Sequence, residues 1–260
     1  PAKFWAYNLW AGIRQESINY FRENKIKWHD QKDNLLSSQI LCVNLFFPLK
    51  TYPHILNVFL KQFYSSLIEV TDIDFEYIGP SGKNYFNEIG GRGFNRTSID
   101  AAIFWKGENS KNNLLLVEFK FTESNFGGCG RSENPKPHRC DDNKLILSAP
   151  KTQCYRSEKR RPYWDMILSP TSPFRCEEFS KMSCCPFKHD FYQLMRNQLF
   201  AKCLAEDKET GLNLVEFAIC LDGRNETLKK LRRPVGGNSD PFSVWKTFLK
   251  HPDTFKWFTV

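Results

Sequence analysis

Two acidic side chains and a lysine lie where two consecutive segments could bring them together. Glu118 and Lys120 close an apolar run at 114–117, and Asp100 stands among apolar residues in the preceding segment, 98–105. Side chains alternate between the two faces of a strand, so Glu118 and Lys120 project to the same side. If the two segments pair as strands, the carboxylates of Asp100 and Glu118 can converge within reach of one cation.

This arrangement would suit metal-assisted hydrolysis of a phosphodiester. Carboxylate oxygens are ligands for Mg²⁺, or for Mn²⁺ in its place, and the Phe119 carbonyl could supply a further oxygen. The ion would polarise the phosphoryl oxygen and lower the pKa of a bound water. Lys120 would orient that water or stabilise the charge of the transition state. The alternative is a structural ion pair, since charges are costly to bury unless they are paired or bound to a metal.

The elements that must position these residues alternate between helical and extended patterns. Apolar spacing and turn residues predict helices over 14–28, 33–48, 53–70, 190–205 and 241–250, and strands over 74–78, 98–105, 114–121 and 214–220. Pro48 is expected to end the second helix, with Asp33 or Asn34 capping its start. The order predicts one α/β domain with a central sheet flanked by helices. It has a helical front end (1–70), a catalytic core (71–121 and 188–260) and an insert (122–187).

The insert shows no regular element and holds six of the nine cysteines. A bound metal would explain how so long an irregular stretch folds, because ligation energy replaces a missing core. The ion would be zinc or part of an iron–sulfur cluster, held by four of a set of five cysteines: Cys129, Cys140, Cys154, Cys176 and Cys185, with Cys184 as a substitute for Cys185. Since no Cys-x-x-Cys pair is present, unliganded thiols are the alternative.

The charge balance suits a polyanionic partner. Lys and Arg total 37 against 29 for Asp and Glu, a formal charge of +8, and phosphates bind such residues and release counterions. Basic residues of the insert are interleaved with Tyr155, Tyr163 and Trp164, a pattern that could track a phosphate backbone and stack bases. They are Lys151, Arg156, Lys159, Arg160 and Arg161. A second basic run follows at Lys229, Lys230, Arg232 and Arg233. The alternative is a solvated charged loop.

The chain shows no sign of a membrane or secreted protein. No apolar run approaches the ~20 residues that cross a bilayer, and the start of the sequence lacks the charged stretch and apolar core of a secretion signal. The odd number of cysteines argues against a framework made only of disulfides. We therefore expect a cytoplasmic protein.

The order of Asp100 followed by Glu118-x-Lys120 on consecutive strands resembles the PD-(D/E)XK nuclease superfamily, which includes restriction endonucleases and recombination nucleases. Residues 37–46 resemble its first motif, in which a Glu or Gln of the first core helix faces the metal site. Residues 192–197 resemble the polar helix that follows the core. The chain looks most like bacterial proteins described as restriction endonucleases. Ser98 and Ile99 precede Asp100 where the superfamily's name motif has Pro.

The resemblance implies a restriction-endonuclease-like fold and specific roles for these residues. Asp100 and Glu118 would bind the metal and Lys120 would serve the attacking water. Gln39 would sit at the metal's edge or hold that water, and Gln193 and Arg196 would line the pocket or grip a phosphate. Glu76 and Glu88 could also reach the site and rank below Gln39. Some nucleases of the superfamily carry an iron–sulfur cluster beside the active site.

The implied function is a Mg²⁺-dependent DNA endonuclease of the restriction or defence type. An enzyme that cuts palindromes would be expected to form a homodimer with two-fold symmetry. Three alternatives stay open at this point. They are a binding module of the same fold that has lost catalysis, a nuclease directed at RNA, and a metal-stapled interaction protein whose acidic pair is structural.

Overall fold

A five-stranded mixed sheet forms the centre of the computed structural model, which describes residues 4–81, 83–123, 126–129, 139–225 and 240–260. The strands lie in the sheet in their order along the chain: β1 (Leu67–Tyr77), β2 (Ile99–Gly107), β3 (Asn112–Lys120), β4 (Leu214–Leu221) and β5 (Phe255–Thr259). β2 is antiparallel to both of its neighbours, β1 and β3, while β4 runs parallel to β3 and β5 parallel to β4. The predicted α/β fold with a central mixed sheet is confirmed.

The middle strand, β3, is buried along its length except at its first residue. Its side chains alternate between two separate hydrophobic cores, with Leu114 and Leu116 in one and Leu115, Val117 and Phe119 in the other. A strand covered on both faces is apolar without alternation. This burial explains why the run at 114–117 is continuous, and it fixes the side to which the next residues point.

Helices cover both faces of the sheet. One face packs against α1 (Arg14–Glu23), α2 (Ser38–Thr51) and α3 (Pro53–Leu60). The other face packs against the long α9 (Phe191–Glu206), α10 (Pro241–Thr247) and part of the insert. The insert itself contains short helices: α4 (Asn143–Ser148), α5 (Pro150–Gln153), α6 (Tyr155–Glu158), α7 (Tyr163–Ile167) and α8 (Cys176–Phe179). Among the described residues, none of the helices is both long and apolar enough to cross a membrane.

Three predictions about the front half of the chain were wrong. The helix predicted to 70 ends at Leu60, and β1 already begins at Leu67. Pro48 lies inside α2, where it removes one backbone donor while buried Phe46 and Phe47 hold the last turn against the core. The cap of α2 is Ser37, whose side chain accepts a hydrogen bond from the Ile40 N–H at 3.4 Å, instead of residue 33 or 34.

Two further differences concern short elements. The insert was predicted to lack regular structure, yet the described part contains five helices of four to six residues each. Such helices are too short to show a 3.6-residue period and are marginal without tertiary packing. β5 was not predicted at all. It spans five residues at the edge of the sheet, where only Phe255 is fully buried, so its pattern is too short to stand out.

Candidate active site

The pairing of β2 with β3 brings the two predicted carboxylates together. Ala101 is the register partner of Val117, so Asp100 and Glu118, one residue further along each strand, come next in the ladder. The Phe119 N–H donates a hydrogen bond to Asp100 Oδ2 at 2.7 Å, which ties the Asp100 side chain to β3. Both carboxylates and Lys120 line a single cavity of about 780 Å³, called here the carboxylate pocket.

Three side chains anchor Glu118 in the carboxylate pocket. The Lys120 ammonium lies 2.8 Å from Glu118 Oε1, and Gln193 Nε2 donates to the same oxygen at 2.6 Å. Asn197 Nδ2 donates to Glu118 Oε2 at 3.0 Å. Gln193 was predicted to line the pocket, whereas Asn197 was missed. The sequence did contain a signal for Asn197, because residues four apart, such as Gln193 and Asn197, share a face of α9. A buried amide in an apolar helix also needs a hydrogen-bond partner.

Burial and neighbouring carboxylates shift the pKa values of Asp100 and Lys120. Burial raises the pKa of the Asp100 carboxyl well above its usual range, and the nearby carboxylates of Glu118 and Glu76 raise it further. Burial alone would lower the pKa of Lys120, but the charges of Glu118, Glu123 and Asp100 outweigh burial and raise it. Lys120 therefore keeps its proton, and a bound divalent ion would relieve the repulsion between the carboxylates.

A third carboxylate, Glu76, also lines the carboxylate pocket. Its backbone has a positive φ of 46°, which breaks the alternation at the end of β1. Glu76 Oε1 lies 3.1 Å from His29 Nε2, and Ser98 Oγ donates to Oε2 at 2.7 Å. Burial opposes ionisation of Glu76, but the hydrogen bonds and charge of His29, together with Ser98 and Gln39, hold its pKa below the usual value.

Gln39 lies behind Glu76. Its amide donates to Glu76 Oε1 at 2.6 Å and to the Lys27 carbonyl at 3.3 Å, and its oxygen accepts from the His29 N–H at 2.7 Å. Glu76 thus lines the carboxylate pocket, whereas Gln39 holds the Glu76 carboxylate. A direct role for Gln39 at a metal stays a prediction.

Glu88 joins two segments that border the carboxylate pocket. Its carboxylate accepts hydrogen bonds from the Thr97 N–H at 2.5 Å, from Thr97 Oγ1 at 3.0 Å and from the Tyr163 hydroxyl at 3.0 Å. Tyr163 belongs to the insert, so Glu88 joins the loop before β2 to the insert. We interpret Glu88 as a structural residue.

Besides the carboxylates, the carboxylate pocket is lined by Arg96 and by Arg156, Arg161 and Arg196. The last three are called here the arginine wall. Arg156 and Arg196 stack on the Tyr192 ring, with the guanidinium carbons 4.8 Å and 5.3 Å from its centroid. The Nε atoms of both arginines are buried and have no hydrogen-bond partner among the described residues. Buried donors of this kind are suited to an anionic ligand.

The other predicted basic residues lie outside the carboxylate pocket. Lys151 forms an ion pair with Asp165, Lys159 lies over the Tyr155 ring at 5.6 Å, and the Arg160 carbonyl accepts from Asn87 at 3.1 Å. All three cations are exposed, so any contact with a polyanion would be outside the pocket. The run from Lys229 to Arg233 lies outside the described residues.

The residues present fit a hard divalent cation. Asp100 uses Oδ2 for the Phe119 N–H, and its Oδ1 takes no hydrogen bond from the described part of the chain. Glu118 Oε2 accepts one hydrogen bond, from Asn197, and keeps a second lone pair that can bind an ion. Two carboxylates with several retained waters are a usual Mg²⁺ environment. Participation of the Phe119 carbonyl stays a prediction.

The predicted cysteine ligands divide into two groups. Cys129, Cys140, Cys154 and Cys185 line one small cavity next to the carboxylate pocket. Cys176 lies elsewhere, with its thiol donating to the Ile167 carbonyl at 3.2 Å, and the Cys184 thiol contacts the Cys185 carbonyl at 3.7 Å. Cys176 is therefore removed from the predicted set.

Comparison with known proteins identifies the family. Residues 1–240 match the family model described as "Restriction Endonuclease associating with ARP". Neither the comparison with curated proteins nor the comparison with solved structures gave a match. The match extends over most of the chain, including β1 to β4 and all three residues of the predicted motif, and it agrees with the restriction-endonuclease-like fold. The chain belongs to the family of restriction endonucleases associating with ARP.

Proposed function

We propose that the protein is an endonuclease that hydrolyses DNA phosphodiester bonds with Mg²⁺ or Mn²⁺. One observation carries the proposal: Asp100 and Glu118 meet beside Lys120 in a cavity that is also lined by Arg156, Arg161 and Arg196. An acidic side for a cation and a basic side for a phosphate are what the reaction requires. The choice of DNA over RNA follows the family's description as restriction endonucleases.

Each residue of the carboxylate pocket has a definable task in this reaction. Asp100 and Glu118 would hold the ion, which would polarise the phosphoryl oxygen and activate a bound water. Gln193 and Asn197 fix the Glu118 carboxylate from α9. Lys120, charged and 2.8 Å from Glu118, would donate a hydrogen bond to the attacking water or to the negative charge of the transition state. The arginine wall would hold the phosphate chain in place.

Cleavage of plasmid DNA tests the proposal. We expect supercoiled DNA to be nicked or linearised with Mg²⁺ or Mn²⁺, and the rate to fall about 100-fold or more in Asp100→Asn and in Lys120→Ala. The matched controls are Glu216→Gln and Lys256→Ala. Glu216 and Lys256 form a second carboxylate–lysine pair on the same sheet, 2.7 Å apart and outside the carboxylate pocket. Both controls should cleave at the wild-type rate.

The alternatives give different results in the same assay. Equal cleavage by wild type and Asp100→Asn would place the activity elsewhere and contradict the proposal. Binding of DNA without cleavage in either metal would indicate a binding module that has lost catalysis. A single-stranded RNA substrate run in parallel identifies an RNA-directed enzyme if RNA alone is cut.

A further inference from the structure

Four cysteines from four separate segments line the small cavity beside the carboxylate pocket, called here the sulfur cavity. Cys129 follows β3, Cys140 precedes α4, Cys154 lies between α5 and α6, and Cys185 follows α8. The cavity has a volume of about 20 Å³, which is room for one water-sized occupant. Four thiols from distant segments thus converge on one small space at the edge of the hydrophobic core.

N–H donors point at the Cys154 sulfur. It accepts hydrogen bonds from the backbone N–H groups of Arg156 and Ser157 and from the Trp164 indole. A neutral thiol is a weak acceptor, whereas a thiolate bound to a metal is stabilised by such donors around it. These donors would stabilise the Cys154 sulfur if it bound a metal ion.

The other sulfurs have similar partners. Cys185 accepts from the backbone N–H of Phe187, and its thiol is hydrogen-bonded with that of Cys140. The Cys185 N–H also donates to the Cys140 carbonyl at 2.8 Å, so these two segments are already joined. The Arg156 side chain forms a hydrogen bond with Cys129. Each of the four cysteines thus takes part in a local set of hydrogen bonds that centres on sulfur.

The charges around the sulfur cavity suit a tetrathiolate site. Four thiolates around a divalent ion carry a net charge of about −2, and two cations, Arg156 and Lys188, line the same cavity. As they stand, no three His, Cys, Asp or Glu side chains of the described residues are grouped closely enough to hold an ion. The sulfurs would therefore move inward on binding.

We propose that Cys129, Cys140, Cys154 and Cys185 bind one zinc ion. Zinc takes four sulfur ligands in a closed tetrahedral site, and such a site contributes folding energy outright. The insert needs a contribution of this kind, because its described helices have only four to six residues each. The proposal does not depend on nuclease activity, since it concerns how the insert is held.

A zinc ion in the sulfur cavity would also affect the neighbouring carboxylate pocket. Arg156, Tyr163 and Tyr192 line both the sulfur cavity and the carboxylate pocket. An ion in the sulfur cavity would therefore fix one member of the arginine wall and the aromatic ring on which Arg156 and Arg196 stack. We infer that the zinc ion positions the part of the insert that faces the substrate.

Metal analysis of the purified full chain tests this proposal. The protein is purified without chelator under anaerobic conditions, and zinc and iron are measured by mass spectrometry. We expect about one zinc per chain in the wild type and a loss of zinc in Cys154→Ser. The matched control is Cys176→Ser, which removes a half-buried thiol of the same insert that lies outside the sulfur cavity. The control should keep its zinc.

A titration of the wild type covers the case in which Cys154→Ser does not fold. A mercurial reagent is added stepwise while a metal-sensitive dye records zinc release, and we expect release to follow modification of about four thiols. Absence of zinc from the wild type, or its retention by folded Cys154→Ser, would overturn the proposal. Equal loss in Cys176→Ser would overturn the ligand set. Iron with absorbance near ~400 nm would overturn the single-ion assignment.

Discussion

At the scale of residues, Asp100 and Asp207 show how differently the surroundings of a carboxylate act on a proposed metal ligand and on a structural group. Asp207 accepts a hydrogen bond from the Tyr85 hydroxyl at 2.7 Å, and this bond, with a backbone N–H and Lys83, holds its pKa below the usual value. Burial and two neighbouring carboxylates hold the pKa of Asp100 well above it. A strongly raised pKa in a cleft is typical of a functional site.

This difference predicts how pH affects metal binding. The folded state raises the pKa of Asp100, so between the pKa of the unfolded state and that of the folded state the metal-free protein holds a proton that the unfolded chain releases. The contribution of Asp100 to the stability of the metal-free protein therefore falls as pH rises through this range. A metal ion replaces the proton. We therefore expect the stabilisation by Mg²⁺ to increase with pH, measured as the difference in melting temperature with Mg²⁺ and with EDTA.

The matched control for this measurement is Asp100→Asn, in which the amide oxygen can still accept the Phe119 N–H. The variant should melt at a higher temperature than the metal-free wild type at high pH, and Mg²⁺ should not shift its melting temperature. A shift of wild-type size in Asp100→Asn would show that the carboxylates do not bind the ion.

At the scale of elements, Gly93 brings the loop between β1 and β2 close to the backbone of Lys27. Gly93 has a φ of +80°, and a Cβ at this position would lie 2.5 Å from the Lys27 carbonyl oxygen. Beside it, Arg92 Nε donates to the Glu76 carbonyl at 3.3 Å. The loop and the segment that carries His29 are thus held together next to Glu76, and the loop forms part of the carboxylate pocket.

We expect Gly93→Ala to destabilise the protein by about 3 kcal/mol, because a side chain there meets both a positive φ and a backbone clash. The matched control is Gly211→Ala, at a φ of +63° with nothing within 4 Å of the added Cβ. It should cost only about 1 kcal/mol. Denaturant unfolding of both variants gives the comparison, and equal costs would contradict the close approach to Lys27.

The helices and strands also show how much of the fold could be predicted from the sequence. The apolar run of β3 and the periodicity of α9 revealed both elements, because burial on a long element leaves a repeated pattern. The position of Glu76 could not be predicted in this way, since its φ of 46° turns the side chain out of the strand's alternation. The short helices of the insert and β5 are held by tertiary contacts that a local pattern does not record.

At the scale of the whole molecule, the two sides of the carboxylate pocket come from different parts of the chain. The carboxylates of Glu76, Asp100 and Glu118 belong to β1, β2 and β3, whereas the arginine wall belongs to the insert and to α9. Binding of phosphates and binding of the ion should therefore be separable by mutation.

We expect Arg161→Gln and Arg196→Gln to weaken DNA binding about tenfold each, and to reduce the slope of log affinity against log salt by about 1 for each phosphate that is no longer neutralised. Fluorescence anisotropy with EDTA present measures binding without cleavage. The matched control is Lys202→Gln, which removes a cation of α9 that pairs with Glu206 outside the carboxylate pocket. An unchanged slope in both arginine variants would show that the wall does not bind phosphate.

Three side chains lie between the sulfur cavity and the carboxylate pocket and line both of them: Arg156, Tyr163 and Tyr192. Oxidation of the thiols in the sulfur cavity would disturb the Arg156 guanidinium directly, since Arg156 itself contacts Cys129. In the proposed function, binding of a phosphate chain would then be sensitive to the chemical state of the thiols next to Arg156.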